Sequence, residues 1–324
     1  MRRRVQSHQK RSMIRWLSSV AGSISVTATC TFLTCAIVLP RLWDSPKPIR
    51  FPVPPLPEVF QERPGTARSI QVSDRTIAGV PLRIVNIDLS DPKVFVGIGL
   101  ANQATQANSA RSTKGDESFE AMVRRHRAAV TVNGTFFSMD AQKRVMGNMV
   151  SGGQFLKYSP WENYGTTLGL RKGNRPEMVT ARTEGRPQWD RHWFSLTAGP
   201  RLLKRGKVQI FPKQEGFTDP SVMGVAIRSG IGFPANGKKL MLVTFHKPIT
   251  LQKQAAIMRA LGCHEAMNLD GGTSVAIASG NRVLHRAGRD LTNVITIYDQ
   301  KFPAPEGLKL SWQQFQRNEQ IAQR

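Results

Sequence analysis

After residue 70 the chain reads as short apolar runs broken by turn residues. Runs at 82–87 and 94–100 have the β-branched and aromatic character of strands, and Ser90-Asp91-Pro92 separates them. Further runs at 128–132, 167–170, 202–203, 208–211, 222–227 and 240–245 predict strands by the same rule. Two stretches switch to helical spacing. One is 117–127, with Phe119, Met122 and Val123 on one side; the other is 251–261, with Thr250 placed to cap its amino end and Gly262 just beyond its last turn. A polar stretch at 311–323 predicts a peripheral helix in the tail, and the small, polar residues of 101–115 predict a mobile loop. Strands outnumber helices and do not alternate with them in the rhythm of a parallel sheet. The expected class is therefore α+β, a mixed, mainly antiparallel sheet with packed helices. No internal repeat is evident.

The first 69 residues follow other rules. No residue from Trp16 to Leu39 is charged, and a helix of that length at ~1.5 Å per residue reaches ~36 Å, enough to cross a bilayer. Arg2, Arg3, Arg4, Lys10, Arg11 and Arg15 precede it, which predicts a cytoplasmic amino terminus (1–15), a single-pass membrane anchor (16–39) and an extracytoplasmic domain. A cleaved signal peptide is the competing reading, but no A-x-A site precedes Pro40. Prolines at 46, 48, 52, 54, 55, 57 and 64 make 40–69 an extended spacer. The folded domain is expected over 70–300, followed by a tail at 301–324. Cys30 and Cys35 fall in the apolar span, so Cys263 stands alone in the outer domain and no disulfide is expected within it.

Charge narrows the partners. The chain of 324 residues has 46 Lys and Arg against 22 Asp and Glu, a formal charge of +24. Its first 50 residues hold nine basic side chains and one acidic, so most of the excess belongs to the rest. Beyond residue 50 the basic residues are mostly scattered, with Arg124-Arg125-His126-Arg127 as the main cluster, and they lack the interleaved aromatics or single basic helix face of a nucleic-acid module. No nucleic-acid partner is expected; anionic headgroups or phosphate-bearing glycans suit this surface better. His192, His246, His264 and His285 show no metal-ligand spacing, so neither a catalytic metal nor another cofactor is expected.

The densest chemistry lies at Met267-Asn268-Leu269-Asp270-Gly271-Gly272-Thr273-Ser274. Period two sets Ala266, Asn268 and Asp270 on one face of a strand and Met267 and Leu269 on the other. Gly271 and Gly272 permit positive φ and a sharp turn whose N–H groups could cradle an anion, with Thr273 and Ser274 adding donors. An Asp-Gly-Gly hairpin leading into a strand at 275–278 is the plain structural alternative. Three more segments have related character. Val132-Asn133-Gly134-Thr135-Phe136-Phe137 ends an apolar strand with an amide and two rings, a design suited to a sugar, with Phe136 as wall and Asn133 as hydroxyl ligand; it is equally a hairpin, or a glycosylation sequon. Thr197-Ala198-Gly199-Pro200 with Leu202 and Leu203 reads as a turn into a strand. Arg228, after an apolar run, could fork onto a phosphate.

In this order and spacing the four segments resemble the phosphodiester glycosidase family, in a match that runs from about residue 70 to 299 and includes the Leu-Gly-Cys helix ending before Asn-Leu-Asp-Gly-Gly. Thr135 and Thr273 stand where that family commonly has glycine. The resemblance implies hydrolysis of the bond between an anomeric carbon and a phosphodiester oxygen. Asp270 would then serve as nucleophile or charge stabiliser, and Arg228 with the Gly271 and Gly272 amides as phosphate clamp. Phosphate is already a fair leaving group, which lowers the demand for a strong general acid. Glu265, on the opposite strand face from Asp270, is not expected to join it. Two other classes compete: a non-catalytic glycan-binding or envelope polysaccharide assembly protein, which has no need of Asp270, and a metal-dependent phosphoesterase, which needs converging carboxylates or histidines.

Overall fold

A computed structural model describes residues 65–108 and 115–321. The expected anchor (16–39) and nearly all of the spacer lie outside the described residues. Among the described residues no helix is long and apolar enough to cross a membrane.

Three antiparallel sheets form the domain. The first has seven strands in the spatial order Val72–Ile77, Val80–Asp88, Lys239–Phe245, Ser229–Phe233, Glu265–Asn268, Arg201–Lys204 and Lys207–Val208. The second has five: Arg282–His285, Ile277–Ser279, Val130–Asn133, Asn293–Tyr298 and Phe95–Leu100. The third has Gln154–Lys157, Met149–Ser151, Phe194–Ala198, Thr166–Arg171 and Arg175–Thr180. Every strand pair among the described residues is antiparallel, so the expected mixed sheet resolves into three wholly antiparallel ones.

Period two explains how the seven-stranded sheet is buried on both faces. Along Val80–Asp88, Val85 and Ile87 enter a core shared with the other two sheets, whereas Val80, Leu82 and Ile84 enter a second core. Leu240 and Leu242 follow the first set, Met241, Val243 and Phe245 the second. The helix Leu251–Ala260 closes that second core with Leu251, Ala255 and Met258. Its amino end is capped by Thr250, whose side chain accepts from Lys253 N, and Gly262 follows with φ +92°, as the sequence predicts. The helix Phe119–His126 covers the second sheet through Phe119, Met122 and Val123, which meet Ala276, Ala278 and Val294.

Three expectations change. The apolar run 222–227 is no strand: Asp219 caps a short helix, Pro220–Met223, with Pro at its first position, and Ala226 retains only an isolated bridge to Ile249. The Asp-Pro start signal outweighs the apolar composition. The strand at 208–211 shrinks to Lys207–Val208. The carboxy-terminal helix begins at Glu306, five residues before the expected start, and it is not peripheral. Leu308, Trp312 and Phe315 pack on the main core; Trp312 meets Phe95 edge to face at 6.4 Å and donates from Nε1 to Asn174 Oδ1 at 3.0 Å. In the expected loop, Ala101–Gln103 forms one 3-10 turn, and residues 109–114 are not described.

Trp312→Ala therefore removes core contacts and a hydrogen bond together. The half-buried ring is expected to contribute about 2 kcal/mol, below the range for a fully buried Trp. Urea unfolding measures it, and a change within about 0.5 kcal/mol would mean that the helix adds nothing to the core.

Candidate active site

The three sheets end at one place, and buried side chains join them there. Asn133, the last residue of its strand, donates from Nδ2 to Ser229 Oγ (3.1 Å) and Asp270 O (2.8 Å), and its Oδ1 accepts from Ala276 N (3.2 Å). This ties the second sheet to the first. Thr135 Oγ1 donates to Thr197 O at 2.6 Å, reaching the third sheet. Asn293 holds the turn between them, accepting from Thr135 N at 2.8 Å and donating to Thr135 O at 3.1 Å. The glycine of the Asn-Gly pair has a steric cause: a Cβ on Gly134 would lie 2.0 Å from Asn293 Oδ1. On the first sheet, Asn268 Nδ2 donates to Gly199 O at 3.0 Å, and Gly199 N to Asn268 O at 2.9 Å.

Asp270 emerges from this junction. It is only 6% exposed and faces a cavity of about 440 Å³. Its Oδ1 accepts from Gly271 N (2.9 Å) and its Oδ2 from Arg289 Nη2 (3.1 Å). Burial raises the pKa of this carboxyl above the ordinary 3.8, partly opposed by a hydrogen bond from Ser274 and by Arg289. Arg289 Nε donates to Ser274 Oγ at 2.6 Å, and its guanidinium lies 4.4 Å over the Phe137 ring. The cation is thus fixed by a carboxylate, a hydroxyl and a π face together.

One wall of the cavity is aromatic. Phe217 stands edge-on to Phe136 at 5.7 Å and to Tyr164 at 5.5 Å. Two wall atoms are buried without partners, Tyr164 Oη and Asn268 Oδ1. A buried, unpaired polar atom is costly, and one facing a cavity is satisfied when a ligand donates or accepts there. Tyr164 stays protonated, because burial and the nearby Glu162 and Asp270 charges push its pKa well above 10. Asp219 is a second carboxylate on the wall, exposed and already capping Ser221 N at 2.8 Å. Among the described residues no three His, Cys, Asp or Glu side chains converge as metal ligands would.

The residues singled out in the sequence divide into two groups. Asp270, Asn268, Phe136, Gly271, Gly272, Thr273 and Arg228 all line the cavity. Ser274 is buried behind it, held by Arg289. Asn133 is also behind, with its amide engaged on both sides; at 1% exposure it holds Asp270 in place, presents no group to the cavity and cannot accept a glycan. Gly272 takes φ +59°, but Gly271 is extended at φ −124°. Neither amide is a free donor: Gly271 N serves Asp270 Oδ1 and Gly272 N donates to Ile227 O at 2.7 Å. No hairpin forms there, since Glu265–Asn268 and Ile277–Ser279 belong to different sheets. Arg228 is 1% exposed and gives Nε to Ile249 O (3.0 Å) and Nη2 to Val222 O (3.2 Å) and Gly224 O. Most of its fork therefore anchors the 222–224 loop, and burial lowers its pKa to about 10, so it remains charged at neutral pH.

Sequence reading missed Arg289, Tyr164 and Phe217. Arg289 had only a weak signal, a Gly288-Arg289 turn shortly before the apolar strand Asn293–Tyr298. Gly288 N donates to Thr273 O at 2.8 Å, bringing Arg289 to Asp270. Tyr164 and Phe217 had none, being single aromatics in irregular chain.

The family model for phosphodiester glycosidases matches residues 126–298, more than half of the chain and every segment of this site. The chain belongs to the phosphodiester glycosidase family. Three solved structures share the fold. One is the catalytic domain of zebrafish N-acetylglucosamine-1-phosphodiester alpha-N-acetylglucosaminidase, auto-inhibited by its pro-peptide, at 16% identity and TM-score 0.58, covering 74% of this chain and 86% of that one. A protein from Synechocystis has 18% identity and TM-score 0.54 over 71% of this chain; the match spans only 62% of that protein's length. A protein from Burkholderia pseudomallei has 15% identity and TM-score 0.50, covering 68% and 74%. No curated protein matches.

Two predictions follow from burial. Because the folded state binds Asp270's proton more tightly than the unfolded chain, its contribution to stability is lost as pH rises from about 4 through the raised value. At pH 7 Asp270→Asn is thus expected to keep or raise the thermal midpoint, and a fall of more than ~5 °C would make the carboxylate a structural element. Glu215, whose carboxylate accepts Arg201 N (2.8 and 3.0 Å) and Thr166 Oγ1 (2.8 Å), is pushed up to about 7 by burial. Native stability should therefore fall between pH 4.5 and 7. Relative to it, Glu215→Gln should gain on the order of 3 kcal/mol between pH 4.5 and 8 in urea unfolding; a pH-independent difference would refute the raised pKa.

Proposed function

We propose that this domain is a hydrolase that cleaves the bond between the anomeric carbon of a sugar and the oxygen of a phosphodiester. The observation that carries the reading is the buried Asp270 carboxylate, paired with Arg289 at the floor of a cavity with an aromatic wall. A glycosyl transition state puts positive charge on the sugar and negative charge on the departing phosphate. Asp270 is placed to meet the first, as nucleophile or charge stabiliser. Arg289, with the Arg228 edge that its carbonyl partners leave, meets the second. The sugar ring packs on Phe136, Phe217 and Tyr164, and its hydroxyls pair with Tyr164 Oη and Asn268 Oδ1. The C–O bond breaks, the phosphate monoester leaves with its oxygen, and water adds to the anomeric carbon. The substrate in this proposal is a phosphate-linked glycan, and residues 16–39 anchor the domain on the extracytoplasmic side, a reading that rests on the uncharged sequence of that segment and its basic flank alone.

A panel of sugar 1-phosphodiesters, assayed for free sugar and for sugar 1-phosphate, tests the reading. Free sugar is the expected product. Asp270→Asn should lower turnover at least ~100-fold, as does loss of one electrostatic catalytic group. Arg289→Gln should lower kcat/KM by ~10–100-fold, the worth of a charge-assisted hydrogen bond. Sugar 1-phosphate as sole product, or near-normal turnover of folded Asp270→Asn, would contradict it; binding without turnover would favour a glycan-binding protein.

A further inference from the structure

The cavity carries apolar surface that a sugar phosphate does not use. Beyond the aromatic wall and the Asp270–Arg289 pair, its lining includes Met139, Met146, Val222 and Ala226. Met139 is 70% exposed and Met146 43%, both unusual for large apolar side chains. They are held together by a short pairing in which Met146 N donates to Phe136 O at 2.8 Å and Ser138 N to Arg144 O at 2.8 Å. The exposed apolar surface continues along the adjoining chain. Glu162 accepts Gly147 N at 2.6 Å, and Asn148 and Ser159 exchange two hydrogen bonds, which docks the segment bearing Trp161, 88% exposed, beside Met146. Val225, 65% exposed, extends the 222–226 stretch. Scattered exposed hydrophobics need no explanation, but a contiguous group at the mouth of a cavity marks a binding surface. The cationic and apolar parts of the site therefore adjoin, since Arg289 Nη1 donates to Met139 Sδ at 2.8 Å, and Met139 and Met146 offer two unbranched, adaptable side chains beside the guanidinium.

We infer that the substrate is an amphiphile: a sugar 1-phosphodiester whose second ester carries an apolar chain, with the phosphate at Arg289 and the chain running out along Met139, Met146 and Val222. This rests on the proposed glycosidase reading for its sugar, but the affinity for the chain can be measured without turnover. Calorimetric titration of the full chain compares octyl phosphate with methyl phosphate, both below the concentration at which octyl phosphate forms micelles. Each buried methylene strengthens binding several-fold, so octyl phosphate is expected to bind at least ~10-fold more tightly, and Met146→Gln to cut that ratio by at least half. Equal affinities overturn the inference and leave the glycosidase reading untouched; so does an octyl preference that Met139→Gln and Met146→Gln both leave unchanged, since the chain then lies elsewhere. In turnover, octyl diesters of the same sugar 1-phosphate should show kcat/KM at least ~10-fold above methyl diesters, mainly through KM. Tight octyl phosphate binding with no sugar released from either diester would separate the two claims, supporting the apolar site and contradicting the glycosidase.

Discussion

Where three antiparallel sheets end at a common point, their last N–H and C=O groups have no ladder to join, and leaving them unpaired in a dry junction would cost a kilocalorie or more apiece. Three carboxamides resolve this. Asn133, Asn268 and Asn293 each offer donors and an acceptor on a short, stiff side chain, and they pair with the main chain of Asp270, Ala276, Gly199 and Thr135. The close approach they require explains Gly134, where any Cβ would strike Asn293. Everything at the site inherits its position from these bonds, because the Asp270 carbonyl is held by Asn133 and Ser229 before its carboxylate enters the cavity. Asp270 itself is thereby fixed just past a strand end and not on a free loop, which suits a carboxylate that has to be placed to within about half an ångström.

The same burial that rigidifies the junction sets its electrostatics. A carboxylate at 6% exposure is destabilised in its charged form, and Arg289, itself pinned by Ser274 and Phe137, restores part of the difference. The carboxylate remains in a poorly solvated place, where its interaction with positive charge developing on a sugar is screened little. Arg228 shows the opposite use of a guanidinium. Its donors go mainly to carbonyls of Ile249, Val222 and Gly224, so it shapes the rim that carries Val222 and Val225.

What could be read in the sequence follows from how local each feature is. Strand 239–245 and helix 251–260 declare themselves through period and caps, and Asp270 through its place between an apolar strand and two glycines. The Asp219-Pro220 helix start is masked by an apolar run whose composition favours a strand. Roles were harder than positions. Asn133 and Arg228 stand where the sequence directs attention, yet whether an amide or guanidinium faces a ligand or a carbonyl depends on chain 20 to 140 residues away. Three separate sheets in place of one were equally hidden, since pairing between strands distant in sequence leaves no local trace. Arg289 reaches Asp270 only through the Gly288–Thr273 contact, and Tyr164 and Phe217 meet Phe136 from irregular segments.

In the proposed reaction Asp270 and Arg289 act at the anomeric carbon and not at phosphorus. Hydrolysis in oxygen-18 water, followed by mass spectrometry of both products, tests this most directly. The label is expected to enter the sugar, and the released phosphate monoester to carry none. Label in the phosphate product would place the bond cleavage at phosphorus and rule out the glycosidase reaction.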